Sequence, residues 1–422
     1  MTMDSSTASG PSSGTVTGAR PDAPAARPAP APPRHRGLAV CTVTALLFTV
    51  MLGGTLPTPL YPMYAARLGL SPLMVALVFA AYALGILGPL LLAGGLSDQI
   101  GRRAVLAPAV GVGLLSCVVF AAFPTLPGLL AGRILSGVSV GLTTGAATAY
   151  LGELHSRPPR AALIAAVTNM AGLGVGPLLS GLLVAHAPAP LITPYAVLAA
   201  LLLPGLLVLA LPETVRKGGA KARVRPQRLS IPAPARPVFT AAAVAVFGSF
   251  AVLGLLSALA GKFLAEGLHH TSPVLAGIVV FCAFGSAGLA QLAAARIAPR
   301  TGAVWGMVVV PLGLAAIVVA LPAASLPLFL VGAAVAGAGG GVAFRSGLAL
   351  VAAEAPAGRA SELISSYFVA AYLGLAVPAI GVGLLVTATT LRTAATVFAA
   401  VVVLLALTSI AVTVRTRPAP RG

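Results

Sequence analysis

The side chains able to carry charge or a proton are few, and their positions are the first guide to chemistry. Only eight residues are acidic. Asp98, Glu153, Glu213, Glu354 and Glu362 fall at the ends of apolar stretches, Glu266 lies in a short break, and Asp4 and Asp22 lie near the start. None sits in the middle of an apolar run, so no buried acid is available to exchange a proton against a cation. Asp98 belongs to Gly94-Gly95-Leu96-Ser97-Asp98-Gln99-Ile100-Gly101-Arg102-Arg103, where a carboxylate four residues before an arginine can form an ion pair. Gly101 suits a backbone turn with positive φ, and Gly94 suits a close helix approach. Asp98 is expected at a helix N-terminus, where free N–H groups stabilise a carboxylate. Arg133 is the opposite case, a cation inside an apolar run, which is costly in a bilayer and reads as a functional position facing the cavity or the interhelical core, with a snorkelling or structural arginine as the alternative.

Catalytic chemistry finds no support. There is no G-x-S-x-G, H-E-x-x-H, P-loop or paired carboxylate site, so no enzyme, no ATP hydrolysis and no metal or cofactor are expected. Cys41, Cys117 and Cys282 fall singly in apolar runs and read as small packing residues. His35 and His155 read as solvated loop residues, and His186, His269 and His270 lie in breaks on the opposite side. Three routes for a proton stay open: Asp98, Glu153 or Glu362 near the inner face, a histidine, or no coupling at all.

The elements that hold these residues follow from composition. The chain has 422 residues, 58% of them hydrophobic and only 8% charged, far from the roughly one quarter of a soluble domain. Twelve apolar stretches are long enough to cross a bilayer core of about 30 Å. They begin at 38–57, 73–93, 104–123, 127–150, 161–185 and 190–211, and continue at 237–258, 273–293, 303–322, 326–350, 361–385 and 390–413. An even number puts both termini on one side. Twenty-one of the 26 basic residues then lie on that side and only Arg67, Lys262 and Arg392 on the other, which makes the first side cytoplasmic. This distribution also explains a net charge of +18 without a nucleic-acid partner. The partners expected are the lipid bilayer and a small-molecule substrate, with the chain monomeric in the plasma membrane.

The predicted fold is all-α: a disordered cytoplasmic tail over 1–37, a six-helix bundle over 38–211, a basic cytoplasmic linker over 212–236, a second bundle over 237–413 and a tail over 414–422. The first apolar run is too long for a signal peptide and reads as an uncleaved helix. A shift of about 200 residues overlays the halves in part, placing Glu153 on Glu354, Pro177 on Pro378 and Arg160 on Arg359. Such a six-plus-six repeat places a substrate site near the midplane between halves.

The turn motif resembles the signature between helices 2 and 3 of the major facilitator superfamily, apart from Gln99 where a basic residue is usual. Leu52-Gly53-x5-Pro59-x2-Pro62 is similar to the first-helix pattern of its twelve-helix drug:proton antiporter branch. Gly172-x3-Gly176-Pro177-x2-Ser180-Gly181 is similar to that branch's fifth-helix motif, with Ser180 in place of a glycine. Arg133-x3-Gly137-x3-Gly141 resembles the fourth-helix motif. In the second half, Pro299-Arg300-Thr301-Gly302 keeps a glycine and has lost the acid.

The resemblance implies proton-coupled efflux of a small amphipathic, neutral or weakly charged compound by alternating access, driven by the proton gradient. Gly94, Asp98, Gly101, Arg102, Arg103, Arg133 and Glu153 would gate and couple, and the fifth-helix glycines would pack helices closely. Candidate substrate contacts are the rare polar residues within spans: Tyr61, Tyr82, Thr144, Asn169 and Tyr367, with Ser249 and Tyr372. The alternatives are a sugar or metabolite uptake permease or uniporter of the same superfamily, and a non-transporting membrane receptor.

Overall fold

A computed structural model describes residues 36–92, 96–155, 157–215, 231–356 and 359–416. Residues 1–35 of the expected tail, Gly94, linker residues 216–230 and the end from 417 lie outside the described residues, and Arg36 and Gly37 of that tail already belong to the first helix. Among the described residues, twelve helices are long and apolar enough to cross a membrane. In the first half these are α1 Gly37–Leu68, α2 Pro72–Leu92, α3 Arg102–Ala122, α4 Leu126–Leu154, α5 Arg160–His186 and α6 Thr193–Ala210. In the second they are α7 Ala233–Gly267, α8 Pro273–Arg296, α9 Pro299–Ala320, α10 Leu326–Ala353, α11 Ala360–Ala388 and α12 Leu391–Arg415. Helices dominate because a backbone in hydrocarbon must satisfy its own N–H and C=O groups.

Two helices run further than their apolar stretches suggest. In α1 a 3-10 turn at Thr58–Leu60 absorbs Pro59, and the helix restarts at Tyr61–Leu68 with Pro62 in its first turn. A proline at that position lacks only an N–H that would be orphaned anyway. The seventh helix continues through a π turn to Gly267. Arg67, Lys262 and Glu266, expected in loops, therefore sit at helix ends, and Lys262 pairs with Glu266.

Glycines set the closest helix crossings. A methyl group on Gly85 of α2 would run into the Ile134 carbonyl of α4, and one on Gly137 into the Tyr82 carbonyl. In the second half Gly306 and Gly313 of α9 meet α10 in the same way. With a glycine at such a crossing, backbones approach closely enough for dispersion to replace the missing hydrophobic drive.

The halves meet along two seams. Gly181 and Pro177 of α5 abut Pro273 and Gly277 of α8, and Gly383 of α11 abuts Pro72 and Ala76 of α2. All of these contacts lie at the end of the bundle opposite the Leu96–Arg103 turn, as does the approach of Gly261 to Pro62. At the turn end the lining residues Thr148 of α4 and Ala162 of α5 are solvent-exposed. The seam contacts close the molecule at its far end.

Candidate functional site

A cavity of ≈ 230 Å³ lies between the halves. Its walls come from α1, α2, α4 and α5 on one side and α7, α8, α10 and α11 on the other; α3, α6, α9 and α12 contribute no lining residue. The first half presents Met51, Phe79, Tyr82, Thr144 and Asn169, and the second presents Phe250, Ser257, Phe284, Gln291, Phe344 and Tyr372. Among the described residues, no acidic or basic side chain lines the cavity. One wall is a ring array: Phe250 lies 5.4 Å from Phe344, Phe344 5.9 Å from Phe368, and Phe368 6.4 Å from Tyr372, centroid to centroid. Such a surface offers flat apolar area and ring edges to a ligand.

Of the polar residues expected to bind substrate, Tyr82, Thr144, Asn169 and Tyr372 are brought together here. Three are placed elsewhere. Tyr367 is fully buried within the second half and donates its hydroxyl to the Phe344 carbonyl at 2.9 Å. Ser249 turns back on its own helix and bonds the Ala245 carbonyl at 2.8 Å. Tyr61 follows the 3-10 turn in α1 and faces a second cavity of ≈ 210 Å³ at the far end, beside Lys262 and Glu266. Ser257 and Gln291 are among the lining residues that the sequence reading missed. Both are buried, and Ser257 Oγ and Gln291 Nε2 have no hydrogen-bond partner among the described residues.

Arg133 is fully buried, but in the core of the first half rather than in the cavity wall. Its Nη1 donates to the Gly54 carbonyl at 2.7 Å, and its guanidinium lies over the Tyr82 ring at 4.4 Å and the Phe79 ring at 5.5 Å. Nε and Nη2 have no partner among the described residues. The cation is therefore held by a carbonyl and two ring faces, and both rings also line the cavity.

At the turn end the motif residues build a cluster within the first half. Asp98 lies in a five-residue helical turn, Leu96–Ile100, and pairs with Arg102 Nη1 at 2.5 Å. The same guanidinium donates to Ser97 at 2.6 Å and to Glu153 at the end of α4, also at 2.6 Å. Asp98 does not cap α3 as expected. Glu213, just beyond α6, takes that place: it accepts the Arg102 and Arg103 backbone N–H groups at 2.9 and 3.2 Å. Gly101 has φ +106°, and a side chain there would collide with the Glu213 carboxylate. Arg103 donates to the Leu209 carbonyl of α6, and Arg300, opening α9, donates to Thr416 after α12. This pairing repeats between the halves.

The α5 motif faces two ways. Gly172 and Gly176 pack on Met51 and Leu52 of α1, Thr55 Oγ1 donates to the Leu173 carbonyl at 2.7 Å, and Gly181 meets α8.

Two six-helix bundles thus share one cavity, and no acidic or basic side chain among the described residues lines it. The chain belongs to the Major Facilitator Superfamily, whose sequence profile matches residues 43–268. It is 35% identical over 115 residues to the D-xylose-proton symporter-like 2 of Arabidopsis thaliana, covering 26% of this chain and 23% of that one. It is 26% identical over 140 residues to the quinolone resistance protein NorA of Staphylococcus aureus, covering 32% of this chain and 35% of NorA. These matches span about a quarter to a third of each relative. Its fold is that of a bacterial homologue of the human lysosomal transporter Spinster, solved inward-facing and unoccupied, with TM-score 0.71, 14% identity and coverage of 92% of this chain and 100% of that one.

Proposed function

We propose that this chain is a proton-coupled exporter of small, amphipathic, neutral or weakly charged compounds. The observation that carries the reading is the cavity: eight helices from both halves enclose it, its walls are aromatic and uncharged, and it is sealed at the far end. The excess of arginine and lysine at the turn end supports a cytoplasmic placement of that end. Substrate then enters from the cytoplasm and leaves when the halves rock to open the far end. With no acid in the cavity, the proton is assigned to Asp98 and Glu153, whose shared partner Arg102 can exchange one carboxylate for the other as helices move. The first- and fifth-helix motifs and the likeness to a quinolone resistance protein support export.

A sugar or metabolite permease is the second reading, favoured by the match to a D-xylose-proton symporter-like protein. A polyol needs a dense set of hydrogen-bonding groups, whereas most of these walls are apolar. Inside-out vesicles loaded with a pH gradient separate the two. Addition of amphipathic compounds, a quinolone among them, should release protons, and Asp98→Asn or Arg133→Ala should abolish the release. Proton movement with D-xylose alone would establish the permease instead.

A further inference from the structure

The spans contain only two carboxamide side chains. Asn169 is the sole asparagine of the chain, and of the three glutamines only Gln291 lies in a span. Both line the central cavity, Asn169 from α5 in the first half and Gln291 from α8 in the second. Those helices are in direct contact beside them: a Cβ placed on Gly288, one turn from Gln291, would lie 3.0 Å from the Cβ of Met170, the residue after Asn169. Gln291 is 3% exposed, and its Nε2 has no partner among the described residues. An amide nitrogen left so keeps an uncompensated desolvation penalty unless something in the cavity accepts from it.

We propose that Asn169 and Gln291 form a two-amide clamp that selects planar, uncharged ligands carrying a lactam- or imide-like edge, a donor and an acceptor side by side. This rests on the reading of the cavity as the transport site. Each carboxamide offers N–H and C=O together, so two of them match a ligand edge that does the same. They reject a ligand with an acceptor alone, which leaves an amide group unpaired in an apolar wall. The rings of Phe250, Phe344 and Phe368 supply flat surface for the rest of the molecule. Because one amide belongs to each half, a bridging ligand holds α5 and α8 in register and makes binding sensitive to their relative position.

The test uses three uncharged bicyclic probes of nearly the same shape: 2-quinolone, a lactam; coumarin, its lactone; and naphthalene, which has neither group. Binding to the full chain in lipid nanodiscs is measured by equilibrium dialysis. The clamp requires 2-quinolone to bind at least about tenfold more tightly than coumarin. Asn169→Leu and Gln291→Met, close in volume to the originals, should each remove that preference while naphthalene binding persists, which reports an intact cavity. Equal affinity of the wild-type protein for lactam and lactone overturns the clamp whether or not the variants fold. So does a preference that survives both substitutions. The readout is equilibrium binding: the lactam preference without proton release in vesicles removes proton-coupled export and leaves the clamp, and proton release without the preference does the reverse.

Discussion

The carboxylate of Glu213 accepts the backbone N–H of Arg102 at 2.9 Å, joining the end of α6 to the first turn of α3 across 111 residues of sequence. The N-terminus of α3 thus receives its negative partner from another helix, while Asp98, the acid nearest in sequence, is held by the Arg102 side chain. Arg102 is 6% exposed and gathers Asp98, Ser97 and Glu153 around one guanidinium. Backbone and side chain of one residue therefore serve two carboxylate systems, and every partner lies in the first half or directly after it. In the conformation closed at the far end, the turn motif braces its own bundle.

Removing that brace should be measurable as stability. Glu213→Ala leaves the first N–H groups of α3 without their carboxylate, a loss of about 1 kcal/mol on the scale of helix caps. Glu213→Gln keeps one acceptor oxygen and should lose less. Thermal unfolding in detergent should rank wild type above Gln and Gln above Ala. An Ala variant that melts with the wild type would show the cap to be energetically idle.

Substitutions at Arg133 test fold and function separately. Its buried guanidinium is served by one carbonyl and two rings and has no acidic partner among the described residues. Replacing a poorly compensated buried charge with an apolar side chain of similar length is often neutral or stabilising. Arg133→Met is therefore expected to melt no lower than wild type, yet to lose transport by at least about tenfold if the cation couples helix movement to the rings of the cavity wall. Arg133→Lys should fail as well, because a compact ammonium does not stack on Tyr82 as a planar guanidinium does. Wild-type flux in the Met variant would reduce Arg133 to packing.

The α2–α4 crossing makes a sharper packing prediction. A Cβ on Gly85 would overlap the Ile134 carbonyl and lie 3.0 Å from the Gly137 Cα, backbone atoms that cannot rotate away, whereas a Cβ on Gly145 of α4 meets nothing within 4 Å. Gly85→Ala should destabilise by about 1–3 kcal/mol, the usual range for overpacking, and Gly145→Ala should be tolerated. Equal melting temperatures for the two variants would contradict this crossing.

The number of spans and the turn motif were legible because both are local: apolar runs of bilayer length, and a turn needing glycine. Rotation of each helix was not. In a helix apolar on nearly every side, periodicity does not reveal which face is inward, so Tyr367 and Ser249 looked as suitable as Tyr372, yet only Tyr372 reaches the cavity. Tyr61 was misplaced for a related reason, since a proline-bearing stretch was expected to end α1 and instead continues it past a 3-10 turn. Glu213 was hidden by distance, as nothing at the end of α6 announces α3 as its neighbour. Gln291 carried one usable signal, its rarity among the spans, the same signal that pointed to Asn169.

The sealed far end gives the last prediction. A Cβ on Gly383 of α11 would lie 2.9 Å from the Ala76 Cβ of α2, across the seam between halves. A disulfide holds its Cβ atoms about 3.5–4.5 Å apart, so a separation of roughly 1 Å would admit the bond in this conformation. With Cys41, Cys117 and Cys282 first replaced by alanine, the Ala76→Cys/Gly383→Cys pair should cross-link readily on mild oxidation. If alternating access requires α2 and α11 to part at this point, cross-linked protein retains ligand binding from the turn end but loses turnover, and reduction restores it. A protein that transports at full rate with the bond quantitatively formed would show that the α2–α11 seam does not open, leaving the α5–α8 seam at Gly181 and Pro273 as the place where the far end must part.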